Sequence, residues 1–297
     1  MESEKMAAFG IGGTLAPADW SWPKRSLQTS DRPELDAGLH VSTPGTRWPR
    51  LSVIVPTLNE AKNLPHVFAE LPSDLHEVIL VDGFSTDGTP EVARRLLPDV
   101  KVVEQRQRGK GDALRCGFEA ATGDILIMLD ADGSADPAEI PAFVQALMRG
   151  ADFAKGTRFH PAGGSSDITR LRRAGNRVLS GIVNLLFGTA YSDLCYGYNA
   201  FWRHCLPAMS VDCTGFEVET LINIRIARSG LKVSEVPSFE RDRIHGQSNL
   251  NTFRDGGRVL RTIFRERLQK APRSVGEVSV PSAEVAHGGE VVSAEAA

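Results

Sequence analysis

The sequence has 297 residues, of which 41% are hydrophobic and 24% are charged, and its formal net charge is −3. This balance is typical of one soluble α/β domain or of two small ones. It excludes bulk positive charge as a means of binding nucleic acid, so we expect no nucleic-acid partner.

The cysteines and the apolar runs indicate a reduced, cytoplasmic protein. The four cysteines are scattered without a close CxxC pair, which predicts neither a zinc site nor a disulfide framework. The longest apolar stretch, residues 178–187, is shorter than the roughly 20 residues of a membrane-spanning helix, and polar residues interrupt it. The acidic first residues precede no long apolar core, which argues against a secretory signal.

The two ends of the chain differ in composition from its middle. Residues 1–48 and 272–297 are rich in Gly, Pro and Ser and show no periodicity, which predicts a disordered tail at each end. The folded unit is therefore predicted to cover residues 49–271. In an alternative interpretation, the tryptophans of the first tail dock it on this unit or on a membrane surface.

Residues 49–271 alternate short apolar runs with helical patterns. Strands are predicted at 51–55, 78–81, 100–104 and 125–129, and helices at about 64–71, 89–97, 112–121 and from 136 onward. The signals at the element ends are Pro56 as the end of the first strand, Asn63 and Thr89 as helix caps, and a capping box of Asp136 and Glu139. This alternation predicts βαβ units in an α/β fold, with a mostly parallel sheet flanked by helices.

The apolar run 125–129 ends in the segment Asp130-Ala131-Asp132-Gly133. In an extended backbone the two Asp side chains leave on the same side, and the small Ala131 between them lets a ligand approach closely. Two converging carboxylates suit Mg2+ or Mn2+, which prefer oxygen ligands and often share them with phosphate. The alternative is an ordinary turn after a buried strand.

Polar residues also follow the ends of the other predicted strands. Residues 56–60 come directly after the first strand, and Asp82 ends the second. Ligands in open α/β sheets bind outside the carboxyl ends of the strands. These two segments and the acidic pair are therefore expected to converge on one crevice.

Four short segments carry a resemblance to a known family. They are 53–60 (VIVPTLNE), 81–89 (VDGFSTDGT), 109–114 (GKGDAL) and 129–132 (LDAD). In this order and at these spacings they resemble the family 2 glycosyltransferases. The resemblance implies the GT-A type of α/β fold, which has a Rossmann-like, mostly parallel sheet flanked by helices.

The resemblance also assigns residues to a nucleotide-sugar donor. It implies that the base and the ribose are held by Pro56, Thr57, Glu60 and Asp82. It implies that the metal and the donor diphosphate are carried by Asp130, Ala131 and Asp132, with Asp132 taking part in catalysis.

The chemistry of glycosyl transfer agrees with this assignment. The leaving group is a strongly anionic nucleoside diphosphate, and a divalent cation that bridges it acts as a Lewis acid and a charge clamp. An inverting, single-displacement route requires no covalent nucleophile. Lys110 is predicted either to help hold the diphosphate or to lie on a solvated basic face.

The second half of the folded unit contains an apolar helix that opens with arginines. Arg170, Arg172 and Arg173 precede apolar residues at helical spacing up to Leu186. Such spacing usually indicates packing in the core. In the alternative, the helix lies on a lipid surface with its cationic end holding phosphate, which would make the protein peripheral at the inner membrane face.

Further segments resemble the polyprenyl-phosphate (dolichol-phosphate) mannose synthase-like branch of the family. They are a Gly-x-Arg-aromatic element at 156–159, the stretch 172–176, an Asp-x-x-x-Gly-aromatic segment at 193–201 and an Arg-x-x-Gly-x-Ser loop at 243–250. The resemblance implies that a polyprenyl phosphate acceptor is bound by Arg158, Arg172 and Asn176, and that Arg158 is catalytic. It implies that a loop closing over the donor diphosphate contains Arg243 and Ser248.

Two positions depart from the pattern of this branch. Asn249 stands where a lysine is usual, and Asn176 stands where a small hydroxyl residue is frequent. The first departure bears on how tightly the loop closes over the diphosphate, and the second bears on the identity of the acceptor.

Glu217 and Glu219 are candidates for a general base. A hydroxyl acceptor needs a base, whereas a phosphate acceptor is already anionic. On a helix the two side chains diverge by about 200°, so only one can face the crevice, and we expect it to be Glu219. The alternative is a helix start with acidic residues in its first turn.

The sequence therefore predicts a metal-dependent, inverting glycosyltransferase. It would move a sugar from a donor of the GDP-mannose or UDP-glucose type to a polyprenyl phosphate. One alternative is the same transfer to a hydroxyl of a glycan or a small molecule. Another is a sugar nucleotidyltransferase, which would need a glycine-rich, basic loop after the first strand that residues 55–60 lack. The donor sugar, its base and the oligomeric state stay open.

Overall fold

The computed structural model describes residues 48–246 and 252–269, without the side chain of Phe253. Ser248, Asn249 and nearly all of the two predicted tails lie outside the described residues. The predictions made for them stay predictions.

The described residues form nine strands and eight α-helices. The strands are β1 (Leu51–Thr57), β2 (Glu77–Asp82), β3 (Lys101–Glu104), β4 (Ile125–Met128), β5 (Phe153–Thr157), β6 (Gly164–Ser165), β7 (Asn199–Trp202), β8 (Val233–Pro237) and β9 (Phe239–Glu240). The helices are α1 (Leu64–Ala69), α2 (Thr89–Leu96), α3 (Lys110–Ala120), α4 (Ile140–Met148), α5 (Arg170–Phe187), α6 (Leu206–Met209), α7 (Val218–Arg228) and α8 (Thr252–Leu268).

Seven of the strands form one sheet in the order β3-β2-β1-β4-β7-β5-β8. Strand β7 runs antiparallel to both of its neighbours, and all other pairs in this sheet are parallel. Strands β6 and β9 form a separate parallel pair. The predicted α/β fold with a mostly parallel sheet is confirmed.

Helices cover both faces of the large sheet because its central strands are apolar on both sides. In β1, Val53 and Val55 belong to a core shared with α1, α2 and α4, whereas Ile54 belongs to a core shared with α3, α6 and α7. A third cluster joins α5, α7 and α8. The alternation of strand and helix in the sequence thus positions the carboxyl ends of β1, β2 and β4 side by side.

The prediction that Pro56 stops the first strand is wrong, since β1 continues to Thr57. The pairing of β1 with β4 ends at Ile54, and beyond it β1 is paired only with β2. Proline lacks the N–H that a central strand donates, and it is tolerated where a strand has a neighbour on one side. Pro56 meets this condition.

Asn63 takes the N-cap position of α1 as predicted, but the side chains of Asn63 and Thr89 bond to other segments instead of capping a helix. The amide of Asn63 donates to Glu60 and to the His245 carbonyl, and it makes no cap bond. The cap of α2 is Gly88, with φ of +81°, while the Thr89 hydroxyl accepts from the Glu60 N–H at 2.9 Å. These bonds tie the loop after β1 to its neighbours.

The predicted capping box is only half formed. The Asp136 carboxylate accepts from the Ala138 N–H at 2.9 Å and opens a 3-10 turn that precedes α4. The Glu139 carboxylate reaches away from it and accepts from the Phe239 N–H at 2.9 Å. Glu139 therefore joins α4 to the start of β9 instead of completing the cap.

Helix α5 buries one side and leaves a second apolar stripe exposed. Val183 packs in the third cluster, whereas Leu171, Val178 and Leu185 are 56%, 63% and 85% exposed. Core packing, as predicted, thus accounts for one side of the helix. Within the described part of the chain, no helix combines the length and the hydropathy needed to cross a membrane.

Candidate active site

A cavity of about 1020 Å³ opens at the carboxyl ends of the parallel strands. Its wall includes residues from the loops after β1, β2, β3 and β4, from α5 and from the first half of α8. The predicted residues that line it are Pro56, Thr57, Glu60, Lys110, Asp130, Ala131, Asp132, Arg158, Arg172, Asn176, Glu219 and Arg243. The strand-end loops therefore converge on one crevice, as the sequence predicted.

Hydrogen bonds connect the loops at the carboxyl ends of β1 and β2. The N–H of Asn59 donates to the Ser85 hydroxyl at 2.9 Å, and the Asn59 side chain accepts from the Thr86 N–H at 2.8 Å. The Ala61 N–H donates to Asp87 at 3.0 Å. The loops after β1 and β2 consequently form one unit beside the cavity.

Asp130 and Asp132 do not extend the strand as the sequence predicted. Strand β4 ends at Met128, and Ala131 and Asp132 lie in a turn that Gly133 completes with φ of +79°. A Cβ at Gly133 would come within 2.5 Å of the Ile244 side chain. The turn is therefore packed against the loop that carries Arg243.

Lys110 is buried between two carboxylates at the base of the cavity. Its Nζ lies 2.7 and 2.9 Å from the two Asp130 oxygens and 2.8 Å from the Glu219 carboxylate. Only 13% of the Lys110 side chain is exposed, so the predicted alternative of a solvated basic face is wrong. Although burial opposes it, the attraction of Asp130 and Glu219 raises the pKa of Lys110 and keeps it charged.

Gly197 fits against this triad because it has no side chain. A Cβ there would lie 2.8 Å from Lys110 Nζ, 3.2 Å from Glu219 Oε1 and 3.3 Å from Asp130 Oδ2. These separations are shorter than ordinary van der Waals contacts. Close approach to charged side chains thus explains the glycine at this position.

Glu219, and not Glu217, faces the cavity, as we expected. Glu219 is 4% exposed and lines the wall, while Glu217 accepts from the Gly215 N–H at 3.3 Å outside it. Burial raises the pKa of Glu219, and the Lys110 ammonium opposes the rise. As a general base, Glu219 would have to accept a proton while it is paired with the Lys110 ammonium.

Arg243 holds the second carboxylate of the acidic pair. Its Nη2 lies 2.7 Å from Asp132, and its Nη1 lies 3.6 Å from Glu60. Burial raises the pKa of Glu60, and the neighbouring charge of Asp132 adds to the rise. The guanidinium therefore lies where negative charge has accumulated.

Asp82 ends β2 directly before Gly83, which lines the cavity. Its Oδ2 accepts from the Ser85 N–H at 3.0 Å. Its Oδ1 is buried, and no hydrogen-bond partner for that atom occurs among the described residues. A buried carboxylate oxygen without a partner is costly, so this atom is suited to accept a hydrogen bond from a ligand.

Arg158 lies in the wall but is bound to protein carboxylates. Its Nε and Nη2 donate to Asp193 at 2.7 and 3.0 Å, and its Nη1 donates to Glu240 at 3.1 Å. The guanidinium also stacks 4.8 Å from the centre of the Tyr196 ring. The predicted contact with an acceptor phosphate stays a prediction, and the geometry gives Arg158 a structural task.

Asn176 and Arg172 come from the first half of α5. The Asn176 amide donates to Asp193 at 3.0 Å and accepts from the Leu194 and Cys195 N–H groups, so it holds that loop. Arg172 lies 3.9 Å from Asp167, with 26% of its side chain exposed. Of the three residues predicted to bind the acceptor, Arg172 has the most exposed side chain.

The residues of the site fit a divalent cation. Asp130 and Asp132 line the same cavity, and each already stabilises a cationic side chain at 2.7 Å. No cluster of three or more His, Cys, Asp or Glu side chains suited to a metal occurs within 48–246 and 252–269. Two carboxylates would leave places for oxygens of a bound ligand, which is typical of Mg2+ sites with phosphates.

Sequence reasoning missed the contribution of α8. The cavity wall includes Thr252, Gly256, Gly257 and Leu260. The apolar spacing of residues 259, 260, 263 and 264 was a signal for this helix. Its arrival at the cavity depends on packing against α5 and α7, which no local pattern reveals.

The fold and the site together have the form of a GT-A glycosyltransferase, and a family comparison agrees. The model of Glycosyl transferase family 2 matches residues 52–210, more than half of the chain. The chain belongs to this family, and the protein is a glycosyltransferase. The predicted family is thus confirmed, and the assignment argues against the alternative of a sugar nucleotidyltransferase.

Two archaeal proteins illustrate its relatives. Glycosyltransferase AglJ of Haloferax volcanii is 32% identical over 216 residues, which cover 72% of this chain and 70% of that protein. Dolichol-phosphate mannosyltransferase of Pyrococcus furiosus is 30% identical over 210 residues, which cover 68% of this chain and 59% of that protein. The predicted resemblance to the polyprenyl-phosphate branch agrees with the second match.

Solved structures share the fold. Glucosyl-3-phosphoglycerate synthase from Mycobacterium tuberculosis, in complex with Mn2+, UDP-glucose and phosphoglyceric acid, matches with a TM-score of 0.59 and 23% sequence identity. The match covers 74% of this chain and 80% of that chain. At this identity it supports the GT-A type of fold alone.

Proposed function

We propose that this protein transfers a sugar from a nucleoside-diphosphate sugar, of the GDP-mannose or UDP-glucose type, to a polyprenyl phosphate. The transfer uses Mg2+ or Mn2+ and inverts the anomeric carbon. The observation that carries the proposal is one continuous cavity that joins the acidic turn 130–132 to an apolar stretch between α5 and α8. A charged donor and a lipid acceptor would meet in such a space.

The donor end of the cavity is polar and charged. Asp130 and Asp132 would hold the cation, which supplies Lewis-acid chemistry to the diphosphate when bound. Arg243 offers a planar pair of donors that matches phosphate oxygens. Asp82 offers an acceptor for the base or the ribose. The Mn2+ and UDP-glucose complexes of the mycobacterial synthase support this use of the fold.

The acceptor end is apolar and lacks side chains at several wall positions. Val178 and Leu179 of α5 face this part of the cavity together with Val259 and Leu260 of α8. Gly175, Gly256 and Gly257 also line it, and a Cβ at any of them would meet no atom within 4 Å. Protein packing does not require these glycines, so we assign them to clearance for an isoprenoid chain.

Exposed apolar residues continue from the cavity onto the surface. On α5 they are Leu171, Val178 and Leu185, and on α8 they are Phe264 and Leu268. Arginines alternate with them on both helices. Such a face is suited to peripheral contact with the membrane that contains the acceptor. The name of the Pyrococcus relative supports a lipid-phosphate acceptor of this kind.

The competing function is transfer to a hydroxyl acceptor, with Glu219 as the base. The position of Glu219 in the cavity favours transfer to a hydroxyl, but the ion pair between Glu219 and Lys110 disfavours it. Turnover of UDP- and GDP-sugars with a polyprenyl phosphate, and separately with glycan or small-molecule hydroxyl acceptors, tests the proposal. Turnover confined to hydroxyl acceptors would contradict it.

Replacing Gly175 by leucine should impair use of the lipid acceptor. The new side chain would fill the apolar part of the cavity, and a steric cost of about 1–3 kcal/mol corresponds to roughly fivefold to 150-fold in the apparent KM for polyprenyl phosphate. Gly181→Leu is the matched control, because Gly181 is exposed on the same helix, outside the cavity and free of contacts at its Cβ position. An equal effect of both changes would argue against the assigned path.

Replacing Asp82 by alanine should weaken binding of the nucleoside diphosphate. Loss of a hydrogen bond to a charged group costs about 1.5–3 kcal/mol, or roughly tenfold to a hundredfold in Kd. Asp87→Ala is the control, because that carboxylate also braces the loops but already holds Ala61 and Thr89. Calorimetric titration with UDP and GDP measures the difference, and an unchanged Kd for Asp82→Ala would refute the role.

A further inference from the structure

Both carboxylates of the acidic turn are engaged by basic side chains of the protein. Lys110 contacts both oxygens of Asp130, at 2.7 and 2.9 Å. Arg243 approaches Asp132 at 2.7 Å and Glu60 at 3.6 Å. A divalent cation bound by Asp130 and Asp132 would therefore lie beside two positive charges.

The two basic residues differ in how firmly they are held. Lys110 is 13% exposed and also neutralises the buried Glu219, so its removal would leave an unpaired charge in the interior. Arg243 is 24% exposed, and its guanidinium contacts only the carboxylates of Asp132 and Glu60 among its described partners. Arg243 is thus the residue that can leave the acidic turn at low cost.

The backbone around Arg243 keeps it close to the turn. The Ile244 N–H donates to the Asp132 carbonyl at 3.2 Å, and the Arg241 N–H donates to the Ser134 carbonyl at 2.8 Å. The Arg243 side chain can therefore exchange one anionic partner for another without a large movement of its loop. A diphosphate beside Asp132 would be such a partner.

We infer that Arg243 makes metal binding depend on the donor nucleotide, because it competes with the cation for Asp132 until a diphosphate draws it away. The inference rests on the proposed function, in that the ligand is a nucleoside diphosphate. It adds an order of events, in which the cation is retained only together with the nucleotide. By linkage, the nucleotide then binds more tightly in the presence of the cation.

The test is Mn2+ binding, followed by electron paramagnetic resonance of the free ion, with the full-length protein. Removing the Arg243 charge in Arg243→Gln should tighten binding of Mn2+ alone by roughly fivefold or more, the lower end of typical couplings between sites. The same change should reduce the gain in Mn2+ affinity that added UDP or GDP produces. Arg243→Met, which keeps an unbranched, flexible side chain and removes the charge, should also tighten binding of Mn2+ alone.

Arg241→Gln is the matched control. Arg241 lies two positions away in the same loop, is 47% exposed, and pairs with Glu70 and Asp136 outside the acidic turn. The Arg241→Gln change should leave Mn2+ affinity unchanged. Circular dichroism and the unfolding temperature of each variant show that it is folded.

The inference is overturned if Mn2+ binds the wild-type protein equally well with and without nucleotide, or if neither Arg243 variant binds Mn2+ more tightly than wild type. These outcomes are distinct from a failure of the proposed function. That failure would appear as an absence of nucleotide binding or as turnover with hydroxyl acceptors alone.

Discussion

Replacing Asp132 by asparagine is expected to reduce glycosyl transfer by at least about 10²–10³-fold, the loss seen when one electrostatic stabiliser of a developing charge is removed. Asp132 is one of the two carboxylates of the acidic turn, so its replacement would leave Asp130 as the single carboxylate of that turn. Chelation of divalent cations should have a comparable effect, and added Mn2+ should reverse it. Initial rates with a radiolabelled nucleotide sugar measure both.

The fold should survive the change at Asp132. Asparagine can keep the side-chain oxygen that accepts from the Ser134 N–H at 2.9 Å, and Arg243 keeps the Glu60 carboxylate as a neighbour at 3.6 Å. Asp136→Asn is a suitable control, because Asp136 lies nearby in the chain and supports a 3-10 turn without lining the cavity. Undiminished transfer by Asp132→Asn, or by a metal-free preparation, would refute the assignment of the acidic turn.

Replacing Arg158 by alanine is expected to destabilise the protein by about 3–5 kcal/mol, the cost of breaking a buried ion pair. The change would leave Asp193 and Glu240 without their shared cation, and Asp193 is completely buried. Arg158→Lys should recover only part of the loss, since an ammonium cannot reproduce the planar contacts to both carboxylates. Chemical denaturation measures the difference, and a loss below about 1 kcal/mol would contradict it.

The same pair predicts how stability responds to acid. Burial alone would raise the pKa of Asp193, but hydrogen bonds and attraction from Arg158 lower it below its ordinary value. A carboxyl with a lowered folded-state pKa contributes stability that is fully present above its unfolded value of about 3.9 and is lost as pH falls through the folded value. In Arg158→Ala the loss should move to higher pH, because the lowering interaction is gone.

The assignment of Arg158 illustrates why a motif does not reveal the task of a side chain. The Gly-x-Arg-aromatic element correctly indicated a residue of the cavity wall. The Glu240 partner of Arg158 is 82 positions away along the chain and lies on β9. Acceptor binding at this site is therefore better tested with Arg172 and Gly175, whose surroundings leave access to the cavity.

The sequence by itself determined the alternation of strands and helices and the positions of the acidic turn and the strand-end loops. These features depend on burial of local apolar patterns and on the rule that parallel strands present their carboxyl ends at one edge. Local patterns therefore sufficed to predict the fold type and the crevice, while the family resemblance supplied the assignment of individual residues to it.

Only the tertiary structure decided which partner each polar side chain takes. Asn63 and Thr89 had local signals for caps, yet their side chains bond to neighbouring loops, although α1 does begin after Asn63. The sequence left open whether Lys110 is solvated, because its partner Glu219 belongs to α7, far along the chain. Ion pairs and hydrogen bonds in a buried site depend on distances of a few ångströms between remote segments, and a linear pattern does not encode those distances.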